Sequence, residues 1–406
     1  MFYFLRMRKT VPSRCLIQHK SAQMHKNLSR LVVFLIPTLL YPELSGFFLF
    51  CMKISTPGRI CLFGEHQDYL GLPVIAAAIS RRIHVHGEKR AGNTIHIHMP
   101  DIRSEEIFLL EPELRYTKER DYFKSAINVL RRHGYGFETG FDVHVTGNIP
   151  INSGTSSSSA LLVSWIHFLA RMADVKPAET VSRFDIGKFA VEAEVLEFGE
   201  PGGMMDQYST ALGNIMYLET VPEPMALSYP VKLGTFVLGD SLEPKDTLGI
   251  LKHVKFGMLD IIRRLNTSGR TFDLHTFPAG EAGRFRSELS AEQFRLLEGN
   301  LSDRDILREA RTMFAADTVD KTRVGELLNI HQDSLRDAKK VSTPKIDRMV
   351  EASLNAGALG AKINGSGGGG CMFAYAPNNP EAVAEAIERE GGKPYIIEVD
   401  EGTRVD

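Results

Sequence analysis

Cysteine and tryptophan are scarce in this chain, and neither sign of charge prevails. Its four cysteines, Cys15, Cys51, Cys61 and Cys371, form no CxxC pair and fit no His-rich metal spacing. That excludes a disulfide framework as the basis of the fold and makes a reducing cytoplasm the natural setting. A formal net charge of -2 over 406 residues leaves nothing to draw the whole chain to nucleic acid or to an anionic membrane. The chain also lacks an uninterrupted apolar run of the roughly 20 residues that a membrane span needs. The nearest approach, Leu31–Cys51, is broken by Pro37, Pro42 and Glu43, and the stretch before it is basic and patternless. Three readings fit residues 1–51: a start codon assigned too early, which is the expectation, an N-terminal membrane anchor, or a genuine extra segment. No membrane contact is expected of residues 52–406.

What remains is an ordinary globular composition, 43% hydrophobic and 24% charged, without repeats or long low-complexity tracts and long enough for two domains. From Met52 onward strands and helices alternate. Strands are expected over Ile54–Phe63, Val74–Glu88, Gly140–Val145 and Gly213–Leu218, and helices over Ser158–Met172 and Phe184–Phe198. Prolines at 222, 224 and 230 mark a boundary between domains at 52–225 and 226–406. The second half promises helices at Leu248–Leu265, Asp303–Phe314 and Val324–Arg336. It closes with a glycine-rich turn, the strand Cys371–Ala376, the helix Pro380–Glu390 and the strand Pro394–Val399. Both halves read as α+β.

The strongest chemical signal is PINSGTSSSSA at residues 150–160. Glycine and small hydroxyl residues let the backbone bend tightly and present several N–H groups to one anion, and a helix beginning there adds the positive end of its dipole. Serine hydroxyls can also ligate Mg²⁺. No Gly-Lys-Ser/Thr follows, so this is not a Walker A loop, and a plain polar linker capping a helix is the bland alternative. A second cluster, GAKINGSGGGGC at 360–371, formally satisfies GxGxxG. It runs into a strand where a dinucleotide fingerprint should open a helix, so the dehydrogenase reading fails. A flexible hairpin, or a loop pressing its backbone against another segment or a ligand, remains.

Two acidic constellations accompany these loops. GRICLFGEHQDY (residues 58–69) gathers Arg59, Glu65, His66 and Asp68 around a glycine turn, side chains suited to hydrogen bonding with vicinal hydroxyls. GEPGGMMDQ (199–207) sets Asp206 after a glycine-rich turn, where it can accept or orient the proton of a substrate hydroxyl, and Glu194 precedes it within reach of a metal. Each segment alone also reads as a solvated loop, a turn cap or a helix-surface carboxylate.

Taken in order, these segments resemble the GHMP kinase superfamily, and within it the galactokinase-like sugar kinases. The first is similar to Gly-Arg-Val-Asn-Leu-Ile-Gly-Glu-His-Thr-Asp-Tyr, the second to Pro-x-x-x-Gly-Leu-Ser-Ser-Ser-Ala with one serine more, and the third to Gly-Ala-Lys-Met-Thr-Gly-Ala-Gly-x-Gly-Gly-Cys. The box Cys-Gly-Ile-Met-Asp-Gln is represented by residues 202–207, GGMMDQ. The resemblance covers essentially 52–406 and implies a two-domain α+β GHMP kinase fold. Its N-terminal domain would resemble ribosomal protein S5, its C-terminal domain would be ferredoxin-like, and the active site would lie between them. It implies ATP as phosphate donor, Mg²⁺, a small-molecule sugar as acceptor, and a monomer or homodimer. Carried over residue by residue, Asp206 would be catalytic with Arg59 beside it. Glu65, His66, Asp68 and the backbone N–H of Gly203 would bind sugar hydroxyls. Gly154, Thr155, Ser156, Ser157 and Ser158 would wrap the phosphates, supported by Gly365, Gly367 and Gly368. Ser158 and Glu194 would ligate Mg²⁺, with Ser157 and Ser159 as substitutes because of the extra serine.

The resemblance is incomplete. Galactokinases carry a Tyr-Asn-x-Arg-Arg stretch in the second domain, where this chain reads DSLEPKDTLG at 240–249, and the usual longer lead-in before the first motif is missing. Related sugar kinases act on arabinose, fucose, glucuronate and heptose phosphates. A kinase for another alcohol, such as mevalonate or homoserine, is disfavoured by GEHQDY. A catalytically silent sugar sensor is disfavoured by the presence of Asp206, Glu194 and the serine run.

Overall fold

In the computed structural model, residues 51–406 are described apart from positions 152, 201, 246–248, 251 and 268–270. The expectations for residues 1–50, and for the start of the helix at 248, lie outside them.

The first half is built on β1 (Met52–Phe63) and the 17-residue β2 (Val74–Arg90), which pair antiparallel. β1 and the first six residues of β2 are almost wholly buried, because both faces of this part of the sheet are covered. Their register shifts between Pro57 and Arg59 and again between Cys61 and Phe63. An extra residue on one strand bends it and re-aims its side chains, and Arg59 lies in this distorted stretch. β3 (Thr94–Met99) and β4 (Ser104–Leu109) were not anticipated from the sequence. In β3, Ile95, Ile97 and Met99 alternate inward, as one buried sheet face requires. Helix α1 (Tyr122–Arg132) follows, then β5 (Gly140–Gly147), and the sheet order is β12-β1-β2-β5-β3-β4, β12 being Arg404–Val405.

Helix α2 (Ser157–Met172) is apolar nearly all round and buries Trp165 and Phe168 under the sheet. Trp165 satisfies its indole N–H on the carbonyl of Phe123 at 3.1 Å. The single helix expected over 184–198 is divided. α3 (Arg183–Val191), capped by Ser182 and Asp185, gives way to a π-helical turn at Glu192–Leu196. Such turns shift the side chains that follow and recur at functional sites; this one carries Glu194. Then α4 (Met205–Leu212) opens with Asp206 in its first turn and leads to β6 (Ile215–Glu219) and β7 (Met225–Tyr229).

β6 pairs with β2 and β7 with β6. The boundary expected after residue 225 therefore falls at the start of a strand of the first sheet, whose last member β12 comes from the far C-terminus. The second sheet contains β8 (Phe236–Asp240), β9 (Gly360–Asn364), β10 (Cys371–Tyr375) and β11 (Lys393–Ile397) in the antiparallel order β11-β8-β10-β9. That is the ferredoxin-like order, and the helices come between its strands. α5 (Gly257–Leu265) follows a π turn at Lys252–Phe256. α6 (Ala291–Phe314) starts well before the expected Asp303, because Ser290 and Gln293 form a capping box. α7 (Lys321–Asp333), α8 (Pro344–Asn355) and α9 (Pro380–Arg389) complete the set. No helix among the described residues is long and apolar enough to cross a membrane.

Candidate active site

The two glycine-rich loops meet. Gly154 has a φ of 92°, open to glycine at little cost. A Cβ on Gly154 would stand 2.7 Å from the carbonyl oxygen of Asn364, and one on Gly365 would stand 2.8 Å from the carbonyl oxygen of Gly154. The second cluster is thus neither a dinucleotide fingerprint nor a free hairpin: it presses its backbone on the serine loop. Asn364 fastens the contact by donating from Nδ2 to Gly154 O at 2.9 Å while its Oδ1 accepts from the N–H of Cys61 at 2.9 Å. Gly367 and Gly368 lie instead on Val341, where the Gly368 N–H donates to the Val341 carbonyl at 2.7 Å.

Within the serine loop the hydroxyls divide by role. Ser153 donates to Pro150 O at 2.8 Å and lies 2.8 Å from the Thr155 hydroxyl, so these two brace the loop from inside. Ser156, at φ 59°, is the N-cap of α2, and its buried Oγ has no hydrogen-bond partner among the described residues. Ser157 and Ser158 begin the helix, whose N-terminus offers unpaired N–H groups to an anion. Ser158 and Ser159 lie beside Glu194, on the π turn, where their hydroxyls favour its charged form. Burial pushes the Glu194 carboxyl up to about 7, and the charge of Asp206 adds to it, while the Gln207 hydrogen bond and the hydroxyls of Ser159 and Ser158 oppose the rise. The Gln207 Nε2–H donates to Glu194 Oε2 at 2.6 Å, and Gln207 Oε1 is buried without a partner among the described residues. A buried carboxylate, serine hydroxyls and an orphaned amide oxygen make an all-oxygen donor set, which fits Mg²⁺.

Arg59 joins the serine loop to Asp206. Its Nε and Nη2 donate to Asp206 Oδ1 at 2.9 and 2.7 Å, its Nη1 donates to Gly154 O, and its own N–H donates to Thr155 O at 3.1 Å. Burial works against the guanidinium charge, but Asp206 and then Glu65 outweigh it and raise its basicity. Asp206 Oδ2 carries no hydrogen bond among the described residues, and the side chain is 34% exposed. Sequence reasoning missed a second cation here. Lys245 packs its stem against Gly370 and is half-buried, and burial together with the charge of Arg59 lowers its ammonium, offset in part by Asp206. It belongs to the stretch 240–249, noted only for the galactokinase pattern it lacks.

The loop after β1 supplies the remaining candidates. Gly203 lies so close to Asp68 that a Cβ there would stand 1.6 Å from Asp68 Oδ2, and the Met205 N–H donates to the same oxygen at 3.4 Å. Burial and the charge of Asp206 raise the Asp68 carboxyl. His66, at φ 65°, donates from Nε2 to the carbonyl of Ser366 at 3.1 Å, and its Nδ1 lies 2.9 Å from the Tyr69 hydroxyl. Burial depresses its imidazole to about 3, so the ring is neutral at ordinary pH. Glu65, expected at the sugar hydroxyls with His66 and Asp68, is buried with both oxygens engaged. Oε2 pairs with Lys362 Nζ at 2.7 Å and Oε1 accepts from the Gly365 N–H at 2.9 Å. Asp206, Arg59, Asp68, Gly203, Glu194 and the serine loop are therefore linked by direct contacts, and Glu65 stands beneath them.

Residues 121–214 match the GHMP kinases N terminal domain, residues 315–393 the GHMP kinases C terminal domain, and residues 52–89 the galactokinase galactose-binding signature. A mevalonate kinase of Thermococcus gammatolerans is 30% identical, over 87% of this chain and 97% of its own. A galactokinase of Actinobacillus succinogenes is 27% identical, over 84% and 90%. The fold matches that of Lactococcus lactis galactokinase complexed with galactose, with a TM-score of 0.74 at 22% identity, covering 92% of this chain and 99% of that one.

Proposed function

The chain belongs to the GHMP kinases, phosphotransferases that take ATP as donor and an alcohol as acceptor, and from that premise we propose that its acceptor is a sugar hydroxyl, the anomeric one being expected. The observation that carries the reading is the juxtaposition of Asp68, Gly203 and Asp206. A carboxylate pressed on the backbone of Gly203, three residues before Asp206, can take two neighbouring hydroxyls while Asp206 takes the one that reacts. The galactose-binding signature over 52–89 supports the same reading.

The chemistry asks mainly for positioning and charge neutralisation. Asp206 Oδ2 holds the acceptor hydroxyl and takes up its proton as the oxygen attacks the γ-phosphorus of ATP. The bond to the β,γ-bridging oxygen breaks and ADP departs. Arg59 keeps Asp206 aimed, and with Lys245 it offsets the charge of the transferring group. The amides of residues 154–158 cradle the phosphates at the start of α2. Ser158, with Ser159, and Glu194 would hold Mg²⁺, which supplies charge neutralisation on the phosphate oxygens when bound. Asp68, His66 and the Gly203 N–H receive the sugar, and Glu65 holds the loop that carries them.

One observation favours a second reading: mevalonate kinases reach 31% identity where galactokinases reach 27%. An ATP-consumption assay with Mg²⁺, run on free sugars and sugar phosphates one at a time, tests the proposal. Turnover of at least one sugar is expected. Sugar binding without turnover of any would instead identify a silent sensor.

A further inference from the structure

Cysteine spacing gave no hint of a metal, but an imidazole cluster lies elsewhere, on the open face of the first sheet. We propose that His96, His98 and Glu105 form a binding site for a first-row divalent transition metal ion such as Zn²⁺. His96 and His98 alternate with Ile95, Ile97 and Met99 along β3, so both point away from the core. Glu105 is the direct cross-strand partner of His98 on β4, the edge strand.

The distances suit tetrahedral coordination. Ligands about 2.0–2.1 Å from a tetrahedral zinc stand about 3.3–3.4 Å from one another. Here His96 Nε2 is 3.1 Å and His98 Nδ1 is 3.5 Å from Glu105 Oε2, and the three ligand atoms all lie within 4.8 Å of one another. The His96 and His98 ring centroids are 3.8 Å apart, an approach that two charged imidazoles would resist and a shared cation would favour. A second shell is also in place. His96 Nδ1 faces Asp142 Oδ1 at 3.7 Å, and Arg90 Nη1 donates to that oxygen at 2.9 Å. Ligating histidines commonly turn their other nitrogen to a carboxylate in this way. His144, cross-strand from His98 on β5, stacks on its ring at 4.8 Å and limits its rotation.

Two imidazoles and one carboxylate select zinc, nickel, cobalt or copper over magnesium, so the site is chemically distinct from the one at Glu194. A water would complete the coordination. The ion would tie edge strand β4 to β3, making it a structural clamp remote from phosphoryl transfer.

The test is calorimetric titration of ZnCl₂ into the tag-free full chain carrying Cys51→Ser, because Cys51 Sγ lies 2.6 Å from His86 Nε2 and offers zinc a competing pair. One ion per chain is expected. His98→Ala should abolish that binding, as should Glu105→Gln, which preserves side-chain size should the alanine variant misfold. Asp142→Asn should weaken it about tenfold. Absence of saturable binding, or binding unchanged in both ligand variants, would overturn the proposal.

Discussion

Two nitrogens of Arg59 converge on one oxygen of Asp206, while a third reaches the carbonyl of Gly154. Asp206 is thereby fixed relative to the phosphate loop and keeps its second oxygen for the acceptor. Asp206→Ala should lower kcat about a hundred- to ten-thousand-fold while leaving ATP affinity nearly unchanged; near-normal turnover would remove Asp206 from the mechanism. A different residue reports on stability. His167, on α2, is buried against the Thr403 hydroxyl at 2.9 Å, and burial, with the charges of Arg171 and Arg183, depresses its ring from 6.5 to about 4. Between those values the unfolded chain holds a proton that the folded chain refuses. Stability from this group is therefore complete above pH 6.5 and is lost as pH falls toward 4. From pH 7 to pH 5, urea unfolding of the native chain should lose about 2 kcal/mol more than that of His167→Gln. Equal losses would mean that the ring is protonated in the folded state.

At the scale of elements, the loop after β1 is held from below by two fully buried lysines. Lys362 on β9 reaches Glu65 Oε2 and the carbonyl of Cys61, at 2.7 and 3.0 Å. Lys339 reaches the carbonyl of Glu65 and the carboxylate of Asp303, at 2.9 and 2.8 Å. Lys362→Met would strand a buried carboxylate and should destabilise the protein by about 3–5 kcal/mol, read from urea unfolding; unchanged stability would show that Glu65 is not held by this pair. The same pair marks a limit of sequence reading. GEHQDY sets Glu65, His66, Gln67 and Asp68 on one turn, but that Glu65 points inward depends on a lysine 297 residues away. The serine run was more legible. Its extra residue left the choice of metal-side hydroxyl open, and Ser158 and Ser159 both meet Glu194. The π turn that presents Glu194 has no local signature in an apolar-acidic helix, so one continuous helix was the natural expectation.

At the scale of the whole molecule, four motifs in order were enough to indicate the fold, because each marks a place where the chain must turn tightly beside a ligand. The elements that carry no chemistry were harder to read. β3 alternates histidine with isoleucine, β7 is short and half-exposed, and the two-residue β12 is defined only by its pairing with β1. The prolines at 222 and 224 fall between β6 and β7, two paired strands of one sheet, so proline punctuation there does not coincide with the end of that sheet. The central claim is that this assembled site transfers phosphate to a sugar, and the relatives make mevalonate the competitor to exclude. The most direct measurement is a single competition: ATP, Mg²⁺ and equimolar galactose, arabinose, fucose, glucuronate, heptose phosphate and mevalonate in one reaction, with products identified by mass spectrometry. The account predicts that a sugar gains the phosphoryl group and mevalonate does not. Phosphomevalonate as the sole product would contradict it.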